Sequence, residues 1–443
     1  MPKDIVQQIV EAEKVPVQQM EVRQGKIGEK KALVQNLISL VEAMRGEALK
    51  NKNARSLREL AIHTGESTDI AVSADKNVAE PGKYSLEVVR LAQKSSAISN
   101  GVEDKDKTYI GVGYIRAIMP DGSKKEIYVD KENATLSGVA KLINKQTDLG
   151  FRANVVNDGK GGDDPWRLIV SLSETGEKNK AEFPYIYLVD GEVDLRFENE
   201  RKAQNAAVKL DGFEIEVPEN KITDLIPGVT IDLKKAKPGE EISIEITEDV
   251  KKIGGKIGGL IGNINNVLKF IKEQNSLDGS QDTSRTLGGD STLTSIESKI
   301  RSAVFTTIQT DSGPLRMGDL GVTFQRDGLL HFDQDKFESM LSKDYKAVAQ
   351  TLTGKYSEKG GKSPGFIDVI EDTAKILNAQ PNGLLTTRKA GLQSQIDQID
   401  RQISNKLRHI AQKEELLKAK FARLEETISN IKGQGAGLAG FAG

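Results

Sequence analysis

Both ends of this 443-residue chain carry an apolar stripe at helical spacing, and the stretch between about residues 70 and 250 alternates instead. That bracketing limits the possible architectures more than any other feature. In the C-terminal stripe Leu392, Ile396, Ile399, Ile403, Leu407, Ile410, Leu417, Phe421, Leu424, Ile428 and Ile431 advance in steps of three, four or seven. The 4–4 step around Leu407 reads as a stutter, a local loosening of a supercoil. A helix from Leu392 to Ile431 would be roughly 60 Å long. At the other end Ile5, Ile9 and Ala12 form a short amphipathic segment. Met20, Ile27, Val34, Leu37, Val41, Met44 and Ala48 then continue at mainly heptad spacing with polar gaps. Pro16 lies between them. Proline is tolerated in the first turn of a helix, where its missing N–H has no partner to lose. It therefore predicts a hinge between two helices. Two coverings of the stripes stay open: an antiparallel pair within the chain, or helices that also pack on other subunits. The length of the stripe favours the second.

The middle reads as short strands. Asp121-Gly122, Asp158-Gly159 and Asp211-Gly212 separate alternating runs, as do Pro81-Gly82, Pro227-Gly228 and Pro238-Gly239. Leu136 to Gln146 is a short helix within it. From Asp249 the period returns to helical, with Ile253, Ile257, Ile261, Ile264, Leu268 and Ile271 three or four apart and Ser291 a candidate N-cap for a further helix. The expected fold class is α+β and multidomain. Residues 1–45 and 391–443 should pair as a coiled-coil leg, and 46–72 with 250–390 should make a helix-rich leg domain. Residues 73–107 with 205–249 should form a β-rich head domain carrying an inserted outer head domain, 108–204.

Chemistry is sparse. Hydrophobic residues are 37% and aromatics 5%, against 29% charged, which leans towards small modules and exposed helices rather than one large core. Sixty-three Lys and Arg against 65 Asp and Glu leave a net charge of −2, so no global field favours nucleic acid or an anionic membrane. There is no cysteine, which excludes disulfides and thiolate sites. No run approaches the roughly 18 apolar residues of a membrane span. The N-terminal residues lack the apolar core of a secretory signal. His63, His331 and His409 are dispersed, with no metal-ligand spacing. The run "IGGKIGG" has no glycine at Val250, and Ile257 follows Lys256, so helix packing is the better reading than a phosphate loop. In "GVGYIR" Arg116 stands where a dinucleotide fingerprint needs glycine. No catalytic residue, metal or cofactor is expected. Trp166, the only tryptophan, is either a head surface anchor for a partner or glycan, or a half-buried structural residue, the second being favoured.

Several blocks resemble one family. "IVQQIVEAEKVP", Ile5 to Pro16, is similar to the opening helix of the flagellar hook-associated protein 2 family, the filament cap proteins. "TLSGVAKLINKQTDLGFRANVVNDG" followed by "WRLIVSLSETGEKN" is similar to an Ile-Asn segment shared by cap proteins and flagellins. "VKLDGFEIEVPENKITDLIPGVTIDLKKA", "LGGDSTLTSI", "LGVTFQRDGLLHFDQDKF" and "GLLTTRKAGLQSQIDQIDRQI" resemble further blocks in the family order. The segment from about Thr108 to Gln204 matches least.

The resemblance implies a non-enzymatic assembly protein, exported unfolded through the flagellar channel without a cleaved signal peptide. It would act outside the cell at the distal tip of the flagellum. Its partners would be itself, in a ring homo-oligomer that is a pentamer in the family, flagellin, hook–filament junction proteins, and a dedicated export chaperone at the C-terminus. Retaining flagellin and promoting its folding and insertion would be its task. The alternatives are another axial protein, of flagellin or junction type, or an adhesin whose head binds host glycan or mucin.

Overall fold

The computed structural model describes residues 2–146, 150–276, 282–356 and 360–439. Its α-helices, among the described residues, are α1 (Pro2–Lys50), α2 (Ala54–Leu57), α3 (Leu136–Lys145), α4 (Val250–Asn275), α5 (Ser291–Phe305), α6 (Gln334–Lys343), α7 (Tyr345–Thr353), α8 (Phe366–Asn378) and α9 (Leu384–Ala439). The chain forms two compact units, Met1–Arg58 with Val250–Gly443, and Glu59–Asp249.

The first unit is helical. Its main core joins the second half of α1 to α4 through α9. Val34, Leu37, Val41, Met44 and Ala48 meet the α4 stripe of Ile253, Ile257, Ile261, Ile264, Leu268 and Ile271, all buried. Phe337, Val348, Ile370, Leu385 and Leu392 complete it. The glycines of "IGGKIGG" lie inside α4, where no loop exists to cradle phosphate. A Cβ on Gly258 would sit 3.6 Å from the Phe332 ring, so the bare backbone serves close packing. The Lys256 ammonium donates to the carbonyls of Ser56 and Leu57 at 2.7 and 3.2 Å. Asp290, not Ser291, caps α5: its carboxylate accepts from the Thr292 N–H at 3.0 Å, and Ser291 is the first helical residue. Either side chain is a competent cap, and Arg388, 2.9 Å from Asp290, adds a charge partner that only the aspartate can use.

The second unit is built on β1 (Leu60–His63), β2 (Ile70–Ala74), β3 (Gly82–Arg90), β4 (Ser96–Ser99), β5 (Val112–Ile118), β6 (Lys124–Val129), β7 (Phe151–Asn157), β8 (Trp166–Leu172), β9 (Glu182–Val189), β10 (Phe197–Arg201), β11 (Ala206–Leu210), β12 (Phe213–Val217), β13 (Lys221–Ile226), β14 (Val229–Leu233) and β15 (Glu241–Glu248). Two sheets, β1-β15-β3-β11-β12 and β13-β14-β2, share a core that includes Leu86, Val88, Val208, Ile231, Ile244 and Ile246. Two others, β10-β4-β8-β7 and β6-β5-β9, share a second core with α3, including Ile115, Ile127, Leu136, Ile143, Leu168 and Phe183. Asp121-Gly122 joins β5 to β6, and Asp211-Gly212 joins β11 to β12 with φ of 49° and 86°, the left-handed pair that a two-residue hairpin requires. The Ile-Asn segment has a structural reason. Ile143 is buried, and the Asn144 amide donates to the Ala153 carbonyl at 2.7 Å while accepting its N–H at 3.0 Å. One side chain thus supplies a peptide-like pair to β7.

Three expected boundaries move. The insertion does not begin at 108, because β4, placed by the sequence in the 73–107 segment, pairs Ala97 with Val170 and Ile98 with Ile169 of β8. A four-residue strand carries too little alternation to be assigned by pattern. Residues 60–72 do not join the helical unit, since β1 pairs with β15 and β2 with β14. The leg is not separate from the helix-rich domain either: Val34, Leu37, Val41 and Leu392 lie in the same core as α4 and α8.

Candidate functional site

Among the described residues, the N-terminal part of α1 packs its apolar side chains against α9. Val6, Val10, Val17 and Ile410 form a small buried cluster, with Met20, Ile403, Leu417 and Phe421 half-buried against it. Polar side chains complete the seam. The Glu13 carboxylate accepts from Lys406 at 2.9 Å and from Lys413 at 2.7 Å. The Gln24 amide donates to Asp400 at 2.5 Å, and the Lys31 ammonium to the Gln393 carbonyl oxygen. From Gln24 to Lys31 is one heptad forward, and from Asp400 to Gln393 one heptad back. The two helices are therefore antiparallel and stay in step from Glu13 to Lys31, over more than two heptads. The two ammonium groups, Lys413 first, hold the Glu13 carboxyl down at about 2, so it is ionised at all ordinary pH.

The geometry revises the expected seam. Ile5 is exposed and Ile9 half-buried, and the buried positions are their neighbours Val6 and Val10. The Ile-Val doublets made both phases look apolar. The seam of α1 runs Val6, Val10, Glu13, Val17, Met20, Gln24, Ile27, Lys31, Val34, an unbroken 4–3 alternation that counting apolar residues cannot see. Of the predicted residues, Ile27 is half-buried, and Val34, Leu37 and Val41 are buried in the main core. On α9, Leu392, Ile399 and Ile410 are buried, and Ile396, Ile403, Leu417 and Phe421 half-buried. Leu407 is exposed, because Lys406 takes its seam position opposite Glu13. The 3–4 alternation is then regular from Leu392 through Lys413, and the 4–4 step falls at Leu417, between Lys413 and Phe421, rather than at Leu407. Leu424 and Ile428 are also exposed, as is Ile431.

Pro16 is not a hinge. The helix α1 is continuous through it. The lost hydrogen bond would have gone to the Ala12 carbonyl, and both residues are exposed, so water can serve that carbonyl. The packed Val17 and the Glu13 ion pairs hold the flanking turns to α9. Trp166 is not a free surface anchor. It is half-buried against the second core of its unit, its backbone exchanges both hydrogen bonds with Val102, and Lys105 lies 5.4 Å above its ring. Among the described residues no cluster of acidic, histidine or cysteine side chains fits a metal ion, and no helix is long and apolar enough to cross a membrane.

A chain whose two ends zip together antiparallel, on a multidomain α+β body, has the architecture of a structural assembly protein. Comparison with known proteins specifies which. The flagellar hook-associated protein 2 N-terminal model matches residues 2–95, and the C-terminal model matches residues 203–433. The chain belongs to this family, the flagellar cap proteins, whose place is the tip of the flagellar filament. It is 26% identical to the A-type flagellar hook-associated protein 2 of Pseudomonas aeruginosa over 97% of this chain and 92% of that one. The solved D1-D2-D3 domains of the Escherichia coli cap protein FliD superpose with a TM-score of 0.57 at 22% identity, covering 82% of this chain and all of that one. A crystal structure of the cap protein FliD from Bdellovibrio bacteriovorus is 54% identical over 38% of this chain and 95% of its own, with a TM-score of 0.36.

Proposed function

We propose that this chain forms a homo-oligomeric cap ring outside the cell at the filament tip, where it retains exported flagellin and promotes its folding and insertion. Family membership supports the cap role. One observation on this chain supports the finer reading. Beyond Phe421 the apolar heptad of α9 continues through Leu424, Ile428 and Ile431, at 55% and 62% exposure for the first and last, and none of the three belongs to the buried cluster that α9 makes with α1. An apolar stripe left open in one chain is an interface waiting for another. Flagellin or junction proteins at the filament end, and an export chaperone before secretion, are the partners that this end of α9 would meet in turn.

The test is complementation of a strain lacking the cap gene, with wild-type protein or Leu424→Asp/Ile431→Asp. Electron microscopy of filament ends and assay of monomeric flagellin in the medium are the readouts. Caps on filament ends with wild type, and flagellin leakage with the variant although it is itself secreted, support the proposal. Full-length filaments and no leakage with the variant would overturn the role given to this stripe.

A further inference from the structure

The α1–α9 pair has two unlike flanks. Residues that follow seam positions share one of them on both helices: Lys14 follows Glu13, Glu414 follows Lys413, and their charges interact across the pair. That flank is charged. Lys14 also meets Glu11 at 2.8 Å, Glu414 meets Lys418 at 2.6 Å, and Asp397 and Asp400 accept from the amides of Gln393 and Gln24. Residues that precede seam positions lie on the opposite flank. On α1 these are Ile5, Ile9, Ala12, Pro16 and Gln19, and on α9 Gln398, Gln402, Asn405, His409, Gln412 and Leu416. All are exposed except Ile9, which is half-buried. No Asp, Glu, Lys or Arg occupies this flank from Ile5 to Gln19 or from Gln398 to Leu416, in a chain that is 29% charged. A solvated helix pair normally carries charge on both flanks. The result is a groove with an aliphatic wall on α1 and a ladder of amides on α9. Its middle holds one more unusual group. Pro16 has no N–H, so the Ala12 carbonyl keeps an acceptor that the helix does not use.

We propose that this uncharged groove is the docking site for one helix of the filament subunit, held along the leg while it is inserted. The proposal rests on the cap reading and gives it a place on the chain. The groove fits a helix whose docking face is itself uncharged. Small aliphatic residues would rest on Ile5, Ile9 and Ala12, and amides or hydroxyls would exchange hydrogen bonds with Gln402, Asn405 and Gln412. A donor on such a face, from Asn, Gln, Ser or Thr, completes the Ala12 carbonyl. From Ile5 to Gln19 the groove is about 22 Å long, and a helix about 10 Å across laid in it covers about 220 Å². A stable pair buries about 800 Å² on each side. The groove therefore suits a partner that is taken up and released, as a subunit passing into the filament is, and not a permanent contact with a second copy. Pro16 acquires a role in this arrangement: it opens an acceptor towards the partner without breaking the helix.

The chain has no cysteine, so a single introduced cysteine can carry a photo-crosslinker to a chosen flank. Ala12→Cys and Gln412→Cys put it in the groove, and Glu11→Cys and Ala411→Cys put it on the charged flank. Each full-length variant, labelled with benzophenone maleimide, is bound to filament ends and supplied with monomeric flagellin of the same strain. The two groove probes should crosslink to flagellin and the two flank probes should not. The yield should be equal at about 0.05 and 1 M salt, since the contact involves no charge. Adding Pro16→Ala to Gln412→Cys should cut the yield about three- to tenfold, the scale of one lost hydrogen bond, although it restores a helical N–H and should raise thermal stability. Were Pro16 only structural, the yield would hold. Adding Ala12→Glu should abolish crosslinking, and adding Glu11→Gln should change nothing. Equal crosslinking from both flanks, an unchanged yield with Pro16→Ala, or crosslinks only between copies of this chain overturns the proposal. If the wild-type chain fails to bind filament ends, the cap reading falls with it. If it binds and the groove probes stay silent, the groove alone falls.

Discussion

Glu13 of α1 lies 2.9 Å from Lys406 of α9, 393 positions later in the chain, and with Lys413 it makes the charged layer of an otherwise apolar seam. A polar group at a seam position specifies register at some cost in stability. Glu13→Lys should therefore loosen the outer part of the pairing, seen as faster amide exchange in residues 5–20 and 403–420. Combining it with Lys406→Glu and Lys413→Glu should restore protection. Equal exchange in single and triple variants would show that the layer does not set the register.

The same layer gives a pH dependence. The folded carboxyl titrates near 2, below the ordinary glutamate value of 4.5. A depressed folded pKa means that its contribution is complete above about 4.5 and is lost as pH falls towards 2. Acidification through that window should open the α1–α9 pairing in wild type but add less in Glu13→Gln. The groups are solvent-accessible, so the effect should shrink in high salt. Exchange rates of the same segment at pH 6 and pH 3, with and without salt, are the measurement.

Ile410 and Leu424 share one helix but not one environment. Ile410 is 5% exposed among Val6, Val10 and Val17, so Ile410→Asp buries an unpaired charge and should lower the unfolding temperature of the helical unit. Leu424→Asp should leave that temperature unchanged and yet impair filament growth, if the cover proposed for it is another subunit. Destabilisation by Leu424→Asp in the purified chain would falsify the assignment of its cover to a partner.

Asn144 pairs both backbone groups of Ala153. Asn144→Ala strands that N–H and that carbonyl beside a buried core. The cost should be about 1–3 kcal/mol, read as a shift in the denaturant midpoint. Asn144→Asp can keep the acceptor only, and should cost at least as much.

Glu59–Asp249 holds two cores of its own, with β1 and β15 pairing near its two ends. Expressed alone, that segment should unfold cooperatively in denaturant and keep its strand circular dichroism. A fragment starting at residue 73, the boundary expected from the change of period, lacks β1 and most of β2 and should be markedly less stable or aggregate.

Much of this was readable from residues alone. Turns were the surest where Gly takes positive φ, as at Asp211-Gly212 and Pro227-Gly228, but Pro81-Gly82 is not one: Gly82 begins β3, and the turn of that loop lies at Asp75–Val78. The α4 stripe was also plain, since its six aliphatic positions admit one phase only. The seam was harder. Ile5-Val6 and Ile9-Val10 offer two phases of equal hydrophobicity, and the choice between them is made by Glu13, Gln24 and Lys31 meeting partners nearly 400 residues away. Pro16 misled because propensity is local, while the turns around it are held from outside the helix. β4 was too short for its alternation to register.

The antiparallel closure of α1 on α9 also dictates an order of events in time. Contacts between the first and the last helix span almost the whole chain, the longest loop that this molecule can close, and such contacts form late when a chain is presented progressively from one end. Residues 59–249 have their partners within 190 positions and can settle as soon as they are clear. The seam cannot. Until the region around Lys406 and Lys413 has emerged, Val6, Val10 and Val17 have nothing to rest on. In a chain presented from its N-terminus the seam therefore closes last, and a chain cut before Lys406 leaves Val6, Val10 and Val17 without the cover that α9 provides.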